Sequence, residues 1–487
     1  MVQDINSADV VLKGGRIVDG GGGPAFVADV AIQGDTIVAV GEALDVPGAR
    51  VVDVTGLVVA PGFIDVHTHD DLICITQPDM IPKISQGVTT VVAGNCGISA
   101  PLLRFDDTVA EPFNLLGARE AFAYDTFADY RRAVEAAVPR VNVAALVGHS
   151  ALRVLCLENL DRPATATERA RMDALLQDAL DEGALGLSSG VFYAPAWAAD
   201  VEELRGLAAT VAAAGGVYTA HIRDEREGII EALHEAFAVA QAHADTGPAS
   251  LILSHHKCAG LRNWGRAAET LGLIDQARRN QPVHLDCYPY TAGSTIIRPD
   301  LVDGEVEILI NWSEPHPEMG GRTLQSIAED WGVTQAEAAE RLQPGGASYF
   351  QMAESDMRAI LGHACCMVGS DGLPHDTLPH PRLWGAFPRV LGHYARDLGL
   401  LSLEAAVRKM TGLAAETFGL KDRGRIAVGM KADVTVFDAD TILDRATYEA
   451  PTQPAAGIVH VFVNGALAWS ESGPTAERSG RFLRRAP

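Results

Sequence analysis

Residues 61–69 read PGFIDVHTH, an apolar strand that ends in the histidine pair His67 and His69. Side chains two positions apart on a strand point to the same side, so both imidazoles are able to face one metal ion. The H-x-H pattern alone is weak, because two solvated loop histidines give the same letters by chance. Its position directly after an apolar strand favours the metal-binding interpretation.

Eight apolar segments of this kind follow one another between residues 61 and 415, with amphipathic helices between several of them. Thr165 with Glu168 and Asp200 with Glu203 have the spacing of capping boxes at helix starts, and Gly183 is placed to end a helix. This alternation predicts an α/β protein with a (β/α)₈ TIM-type barrel over 61–415 rather than an open doubly wound sheet. The predicted strands are GFIDVHTH (62–69), GVTTVVAGNC (87–96), VNVAALVGHS (141–150), GALGLSSG (183–190), GVYTAHIRD (216–224), SLILSHHKC (250–258), PVHLDCYPY (282–290) and CCMVGSD (365–371).

The two ends of the chain have a different texture from the middle. VVLKGGRIVDG (10–20) and IVHVFVNGALAW (458–469) alternate apolar and polar residues, as half-buried antiparallel strands do. We therefore expect residues 1–60 and 416–487 to build one small β-sandwich domain. Residues 297–350 exceed a simple crossover and predict an insertion before strand 8, over the active-site face of the barrel, where it could act as a lid.

Composition narrows the class of protein. The 487 residues carry 39 basic and 63 acidic side chains, a formal net charge of −24, which argues against nucleic acid or an anionic membrane as partner. No apolar run approaches the ~18 residues of a spanning helix. The seven cysteines have no framework spacing, which is typical of a reducing cytoplasm. We expect a cytoplasmic enzyme with a small-molecule substrate. The sequence does not predict its oligomeric state.

Further metal-ligand candidates end four other predicted strands. Cys96, in GNCG, offers a thiolate, although a lone cytosolic cysteine is more often a buried apolar residue. His221 ends the fifth strand. On the sixth strand, alternation puts His255 and Lys257 on one face and His256 on the other, so His255 is the candidate.

Asp371 ends the eighth strand, in GSDG, where a turn aspartate would give the same letters. A carboxylate at that point is able to bind a metal ion or to accept the proton of an attacking water. Together the candidates fall at the carboxyl ends of strands 1, 2, 5, 6 and 8, the face where such barrels carry their chemistry.

These segments resemble the amidohydrolase superfamily and, within it, the D-aminoacylases, or N-acyl-D-amino-acid deacylases. PGFIDVHTH and GRIAVGMKADVTVFD (424–438) are similar to superfamily motifs, whereas GNCG, AHIRDE, SHHK and GSDG resemble the D-aminoacylase group. The resemblance covers nearly the whole chain. It implies zinc-dependent hydrolysis of N-acyl-D-amino acids to a carboxylate and a free D-amino acid.

The resemblance also implies a ligand arrangement. Strand 4, GALGLSSG, has no lysine, so the carboxylated lysine that bridges two metals in many superfamily members is absent, and Cys96 takes the bridging place. Cys96, His221 and His255 would hold a tight zinc, whereas His67, His69 and Asp371 would form a second, weaker site. Zinc would polarise the acyl carbonyl and lower the pKa of a bound water, with Asp371 as general base and then general acid.

The substrate carboxylate requires a cation. Arg382, eleven residues beyond Asp371, is suited to a two-point clamp, although an arginine there is more often a surface residue. By resemblance, Lys257, Tyr288 and Ser294 would also contact the carboxylate. Tyr193 either lines the side-chain pocket or belongs to the core. Arg298 could pair with an acidic D side chain, but we expect it on the surface of the insertion, which leaves a broad or hydrophobic preference as the default.

Three alternatives remain. A cyclic-amide hydrolase such as a hydantoinase or dihydroorotase is disfavoured by the missing strand-4 lysine and by Arg382. A serine hydrolase would use Ser188, since residues 186–190 match G-x-S-x-G, but the next helix signal comes about ten residues later instead of at once. A catalytically inactive relative should have lost ligands, and this chain keeps all six.

Overall fold

The computed structural model describes residues 7–106, 108–241 and 247–485. Its strands are β1 (Val10–Ile17), β2 (Phe26–Gln33), β3 (Thr36–Gly41), β4 (Arg50–Asp53), β5 (Val58–Pro61), β6 (Phe63–Asp65), β7 (Val88–Ala93), β8 (Asn142–Ala145), β9 (Val147–Gly148), β10 (Gly186–Gly190), β11 (Val217–His221), β12 (Ser250–Leu253), β13 (Val283–Cys287), β14 (Gly293–Ile296), β15 (Ile308–Ser313), β16 (Gly345–Tyr349), β17 (Cys366–Val368), β18 (Val434–Phe437), β19 (Ile458–Val463), β20 (Ala466–Ser470) and β21 (Gly473–Pro474).

The α-helices lie between these strands and after β17. They are α1 (Ile73–Thr76), α2 (Ile81–Ile84), α3 (Phe127–Ala137), α4 (His149–Cys156), α5 (Ala166–Asp181), α6 (Ala194–Trp197), α7 (Val201–Ala213), α8 (Ile229–Ala240), α9 (Ala267–Ala277), α10 (Leu324–Trp331), α11 (Gln335–Arg341), α12 (Glu354–Gly362), α13 (Arg382–Arg389), α14 (Leu403–Met410) and α15 (Gly412–Phe418). A π-helical segment, Val390–Asp397, continues α13. No helix in the described ranges is long and apolar enough to cross a membrane.

The helix starts follow the sequence closely. Thr165 caps α5 in a complete capping box with Glu168, as predicted. Asp200 caps α7 by accepting the N–H of Glu203, but the box is not closed. The Glu203 carboxylate instead lies 2.5 Å from the buried guanidinium of Arg153, an ion pair stronger than a cap contact. Gly183 has φ +111° just past the end of α5, as expected for a glycine that ends a helix.

The eight predicted middle strands pair in parallel and in chain order. β6 pairs with β7 and β7 with β8, and a second run joins β9, β10, β11, β12, β13 and β17. β8 and β9 are consecutive parts of the third predicted strand. An isolated parallel bridge between Thr68 and Gly372 links the chain just after β6 to the chain just after β17. All the carboxyl ends therefore lie on one side.

Both ends of the chain share one sheet of nine strands among the described residues, in the order β21-β20-β19-β18-β5-β1-β2-β3, with β4 beside β1. The first and last parts of the chain meet where β5 pairs antiparallel with β18. β1 pairs antiparallel with β2, as expected, but it runs parallel to β4 and β5. The reason is that residues 42–49 carry the chain back across the sheet before β4 begins.

The predicted insertion forms a separate sheet in the order β14-β16-β15, covered by α10 and α11. This sheet begins at Gly293, slightly before the predicted boundary at residue 297. Thr334 and Glu337 form a capping box at α11. β14 follows β13 after only a short turn, so the inserted sheet starts beside the carboxyl ends of the middle strands.

Candidate metal centre and active site

The predicted ligands come together from distant parts of the chain. The Cys96 Sγ lies 3.2 Å from His67 Nε2 and 3.3 Å from His255 Nε2. The His255 Nε2 is in turn 3.1 Å from His221 Nδ1. All four side chains are buried. Their donor atoms therefore converge on one small volume beyond the ends of β6, β7, β11 and β12.

A second group of donors adjoins the first. Asp371 Oδ1 lies 3.3 Å from His69 Nε2 and 3.5 Å from His67 Nε2. One ligand atom from each of His67, His69, Cys96 and Asp371 lies within 4.8 Å of the others, and the same holds for Cys96, His221 and His255. Cys96 belongs to both groups, which is the arrangement that a bridging ligand requires.

Three of these residues have left-handed backbones. Cys96, His255 and Asp371 have φ values of +56°, +36° and +49°, a region that costs free energy for residues other than glycine and is concentrated at functional sites. β12 ends at Leu253, so the left-handed turn, and not strand alternation, directs His255 inward. His256 lies outside the group, with its Nε2 3.0 Å from Thr270 Oγ1.

The neighbours of Cys96 and Asp371 favour the deprotonated form of each. Burial raises the pKa of the Cys96 thiol, but the imidazoles of His67 and His255 outweigh it and hold that pKa well below its usual value. Burial also raises the pKa of Asp371, yet Arg382 and His67 together bring it well below its usual range. Both shifts favour the thiolate and the carboxylate, the forms that bind a metal ion.

Two carboxylates that the sequence analysis missed orient the histidines. Asp286 Oδ1 is 3.1 Å from His67 Nδ1 and accepts the His255 backbone N–H at 2.9 Å. Glu225 Oε1 is 3.1 Å from His255 Nδ1 and 2.5 Å from Lys257 Nζ. The Asp286 contact places the proton of His67 on Nδ1 and leaves its Nε2 free for a metal. His255 Nδ1 also lies 2.8 Å from Lys257 Nζ. Their sequence signals were present: Asp286 is the next-to-last residue of β13, and Glu225 follows His221 by four residues.

The predicted carboxylate-binding residues converge beside Asp371. Arg382 Nη1 lies 2.8 Å from Asp371 Oδ2, and its Nη2 donates to the Ser294 carbonyl at 3.1 Å. Its guanidinium is 4.4 Å above the Tyr288 ring, and Lys257 Nζ is 5.9 Å from the same ring. Arg382 is therefore buried beside Asp371 and not on the surface. The Tyr288 hydroxyl is buried without a hydrogen-bond partner among the described residues.

A pocket of about 210 Å³ opens beside these groups and includes His69, Lys257, Tyr288, Ser294 and Asp371 in its wall. Tyr193 also lines it, with its hydroxyl 3.0 Å from Thr295 Oγ1 and its ring packed edge-on against His221.

The expected surface position of Arg298 is wrong. Arg298 lines the pocket, its side chain is 19% exposed, and its guanidinium lies 4.5 Å above the Phe192 ring. β14 belongs to the inserted sheet and follows β13 after a short turn. The chain directly after β14 then brings Arg298 back over the pocket. Asp300 already pairs with it through two bonds, of 2.7 and 2.6 Å.

Ser188 has a structural task in this arrangement. It lies within β10, is buried, and donates its hydroxyl proton to the Gly94 carbonyl at 2.5 Å while accepting the Gly97 N–H at 3.0 Å. A nucleophile elbow requires a sharp turn at the serine, and the strand continues here to Gly190. The geometry does not favour the serine hydrolase alternative.

Comparison with known proteins shows the family of the chain. The sequence model of the amidohydrolase family matches residues 50–286 and 332–468 of this chain. An N-acyl-D-glutamate deacylase of Alcaligenes xylosoxydans xylosoxydans is 50% identical over 478 residues, 98% of this chain and 96% of the relative. A solved D-aminoacylase superposes with a TM-score of 0.95 at 49% identity, covering 98% of this chain and 100% of that one. A solved N-acyl-D-glutamate deacylase from Bordetella bronchiseptica, complexed with zinc and a phosphonate mimic of the tetrahedral intermediate, gives 0.94 at 45%, with 98% and 100% covered. The chain therefore belongs to the amidohydrolase family, in the group of the D-aminoacylases.

Proposed function

We propose that this protein hydrolyses the amide bond of N-acyl-D-amino acids and releases a carboxylate and a free D-amino acid, with zinc as its cofactor. The observation that carries the proposal is one pocket whose wall includes Asp371 and histidines of both donor groups, with Arg382 paired to Asp371. The relatives with 45–50% identity over nearly the full length are deacylases or aminoacylases of this kind.

The residues present fit zinc. The donors are one thiolate, four imidazoles and one carboxylate, the ligand types that zinc prefers. The facing nitrogens of His67, His221 and His255 lie 3.1–3.3 Å from one another or from Cys96 Sγ, close enough to share one ion. Cys96, His221 and His255 would hold the tight ion, and His67, His69 and Asp371 a second, weaker one. When bound, zinc supplies a Lewis acid that polarises the acyl carbonyl and acidifies a water.

The protein's own residues perform the proton transfer and the substrate binding. Arg382 and His67 favour the ionised form of Asp371, and this carboxylate accepts a proton from the attacking water and returns it to the leaving amine. Arg382 and Lys257 bind the substrate carboxylate, and the unpartnered Tyr288 hydroxyl donates to it. The bound carboxylate takes over the contact of Arg382 with Asp371, which frees an Asp371 oxygen for the water.

The substrate's side chain lies toward Tyr193 and Arg298. Because Asp300 neutralises Arg298, the pocket fits an apolar D side chain as it stands. An acidic substrate side chain binds there only if its carboxylate replaces Asp300 as the partner of the Arg298 guanidinium.

The finer architecture belongs to the same proposal. Residues 61–415 form a closed (β/α)₈ barrel, residues 1–60 and 416–487 form a β-sandwich domain, and residues 297–350 cover the pocket. The order of parallel strands and the Thr68–Gly372 bridge support the closed barrel. An interior cluster supports it too, since it takes apolar side chains from most of these strands, including Ile64, Val92 and Ile252. The seven cysteines, all within the described ranges, are free and buried, which fits a cytoplasmic enzyme.

The first test is amine release from matched N-acetyl-D- and N-acetyl-L-amino acids, apolar and acidic, with zinc supplied. We expect turnover of the D series alone, and more with apolar side chains than with D-Glu or D-Asp. If neither series is hydrolysed by protein that holds zinc, the proposed substrate is wrong and a cyclic amide becomes the better hypothesis.

A second test addresses the carboxylate clamp. Arg382→Lys keeps a positive charge but loses the planar fork, so we expect KM to rise roughly 10-fold or more, since a charge-assisted hydrogen bond contributes about 1.5–3 kcal/mol. The zinc content should stay unchanged, and kcat should fall less than KM rises. Arg262→Lys, at a side chain 73% exposed, serves as the control. An unchanged KM in Arg382→Lys would remove this residue from substrate binding.

A further inference from the structure

Cys96 lies in a tight loop, residues 94–100, and the buried carboxylate of Asp71 accepts hydrogen bonds from both ends of that loop. The Asp71 Oδ2 accepts the N–H of Gly94 at 3.1 Å, and its Oδ1 accepts the N–H of Ala100 at 3.0 Å. One side chain thus binds both ends of the segment with Cys96 in its middle. Asp71 is fully buried.

We propose that Asp71 is the positioning residue of the thiolate ligand: its carboxylate holds the Cys96 loop in the one conformation that presents Sγ to zinc. This inference rests on the proposed metal site and assigns a task to a residue that contacts neither metal nor substrate. A carboxylate that accepts two backbone N–H groups forms charge-assisted hydrogen bonds, stronger than neutral ones. It therefore suits a loop that must be held against strain.

The strain is visible in the loop backbone. Cys96 has φ +56°, and Gly94 and Gly97 have +80° and +73°. A Cβ on Gly94 would lie 2.4 Å from the Leu146 carbonyl oxygen, so the loop is pressed against the neighbouring strand. A left-handed backbone at a residue other than glycine, such as Cys96, is strained and persists only where the surroundings impose it. The two Asp71 hydrogen bonds are part of that constraint.

Ser188 also holds the Cys96 loop, through hydrogen bonds different from those of Asp71. Its hydroxyl binds the Gly94 carbonyl and the Gly97 N–H, so Gly94 has its N–H bound to Asp71 and its C=O bound to Ser188. Asp71 is itself anchored, because the Tyr130 hydroxyl of α3 donates to its backbone carbonyl at 2.9 Å. The position of Sγ therefore depends on elements outside the metal ligands.

The neighbouring Asp70 shows that this contact is particular to Asp71. Asp70 is equally buried, but its carboxylate faces Lys83 Nζ at 3.3 Å. Two adjacent acids after the H-x-H pair thus serve different partners. Of these two acids, Asp71 is the one that hydrogen-bonds to the Cys96 loop.

The test is zinc affinity, measured without substrate by competition with a chromophoric chelator. Asp71→Asn keeps the size but offers one acceptor and one donor, so one loop N–H faces an amide NH₂. We expect the zinc Kd to rise about 10- to 100-fold, the range found when groups that orient metal ligands are removed. In cobalt-substituted protein, the sulfur-to-cobalt charge-transfer band should weaken or shift, which a general loss of stability would not cause.

Asp356→Asn is the matched control, because its buried carboxylate also accepts two backbone N–H groups, those of Gly265 and Ala267, but lies outside the Cys96 loop. We expect it to keep parental zinc affinity and the parental cobalt spectrum. If Asp71→Asn does not fold, Asp71→Ser replaces it, since the shorter side chain leaves room for water to reach the loop N–H groups, and an intermediate loss of affinity is expected.

Parental zinc affinity and an unchanged thiolate band in either folded Asp71 variant would overturn the inference. The proposed function fails separately: a protein that binds zinc through Cys96 but hydrolyses no N-acyl-D-amino acid would leave the role of Asp71 intact.

Discussion

Replacing Cys96 by alanine is expected to remove the tightly held zinc and, with it, all hydrolysis above background. Cys96 is the one residue common to both donor groups, so its loss damages the two sites together. Removal of a mere orienting group already costs about 10- to 100-fold in metal affinity, and a direct thiolate ligand should cost more. Metal content after dialysis against a weak chelator and amine release from an N-acetyl-D-amino acid measure the two effects.

Cys156→Ala is the control for this experiment, because Cys156 is also a buried free cysteine but ends α4, away from the donor groups. It should keep its zinc and its activity. A Cys96→Ala protein that keeps zinc at the parental stoichiometry and still turns over substrate would contradict the proposed ligand set.

The second large effect is expected at Asp371. Asp371→Asn should lower kcat by about 10²- to 10⁴-fold, the usual contribution of general acid–base catalysis, because the amide cannot accept the proton of the attacking water. The Cys96, His221 and His255 group does not include Asp371, so the tight zinc should remain. Steady-state kinetics with parallel metal analysis separate the two quantities.

The same substitution has a cost in stability that must be measured beside the kinetics. Asp371→Asn leaves the buried guanidinium of Arg382 without its anionic partner, and breaking a buried ion pair costs about 3–5 kcal/mol. Thermal unfolding with and without a D-amino acid reports it, because the ligand's carboxylate should restore part of the loss. Asp397→Asn, at an exposed carboxylate, gives the baseline. A folded, zinc-loaded Asp371→Asn protein with parental kcat would exclude Asp371 as the base.

Several features of the fold were predictable because they depend on short stretches of chain. The capping boxes of α5 and α11 involve residues three positions apart, and the structure contains both. The apolar segments that became β6, β7 and β11 are short and uninterrupted, and each ends beside a candidate ligand. Metal-ligand chemistry is restricted to few residue types, so their recurrence at strand ends was readable before any distance was known.

Other features were beyond the sequence because they join distant residues. Asp286 orients His67 from 219 positions away, and no local pattern connects the two. Arg298 lines the pocket because of the path that the chain takes through β14, although the sequence predicted a position on the surface of the insertion. The pairing of Arg382 with Asp371 follows from the turn after β17, where a left-handed backbone redirects the carboxylate.

The sequence by itself determined which side chains could bind zinc, at which strand ends they stand, and where the helices of the middle segment begin, because these depend on residue type and local spacing. Only the tertiary structure decided that Cys96 belongs to both donor groups, that Glu225 and Asp286 orient the histidines, and that Asp71 closes the Cys96 loop. Those contacts exist only after the carboxyl ends of the strands have been brought together. Their distances are set by left-handed turns and buried carboxylates that no periodicity in the chain reveals.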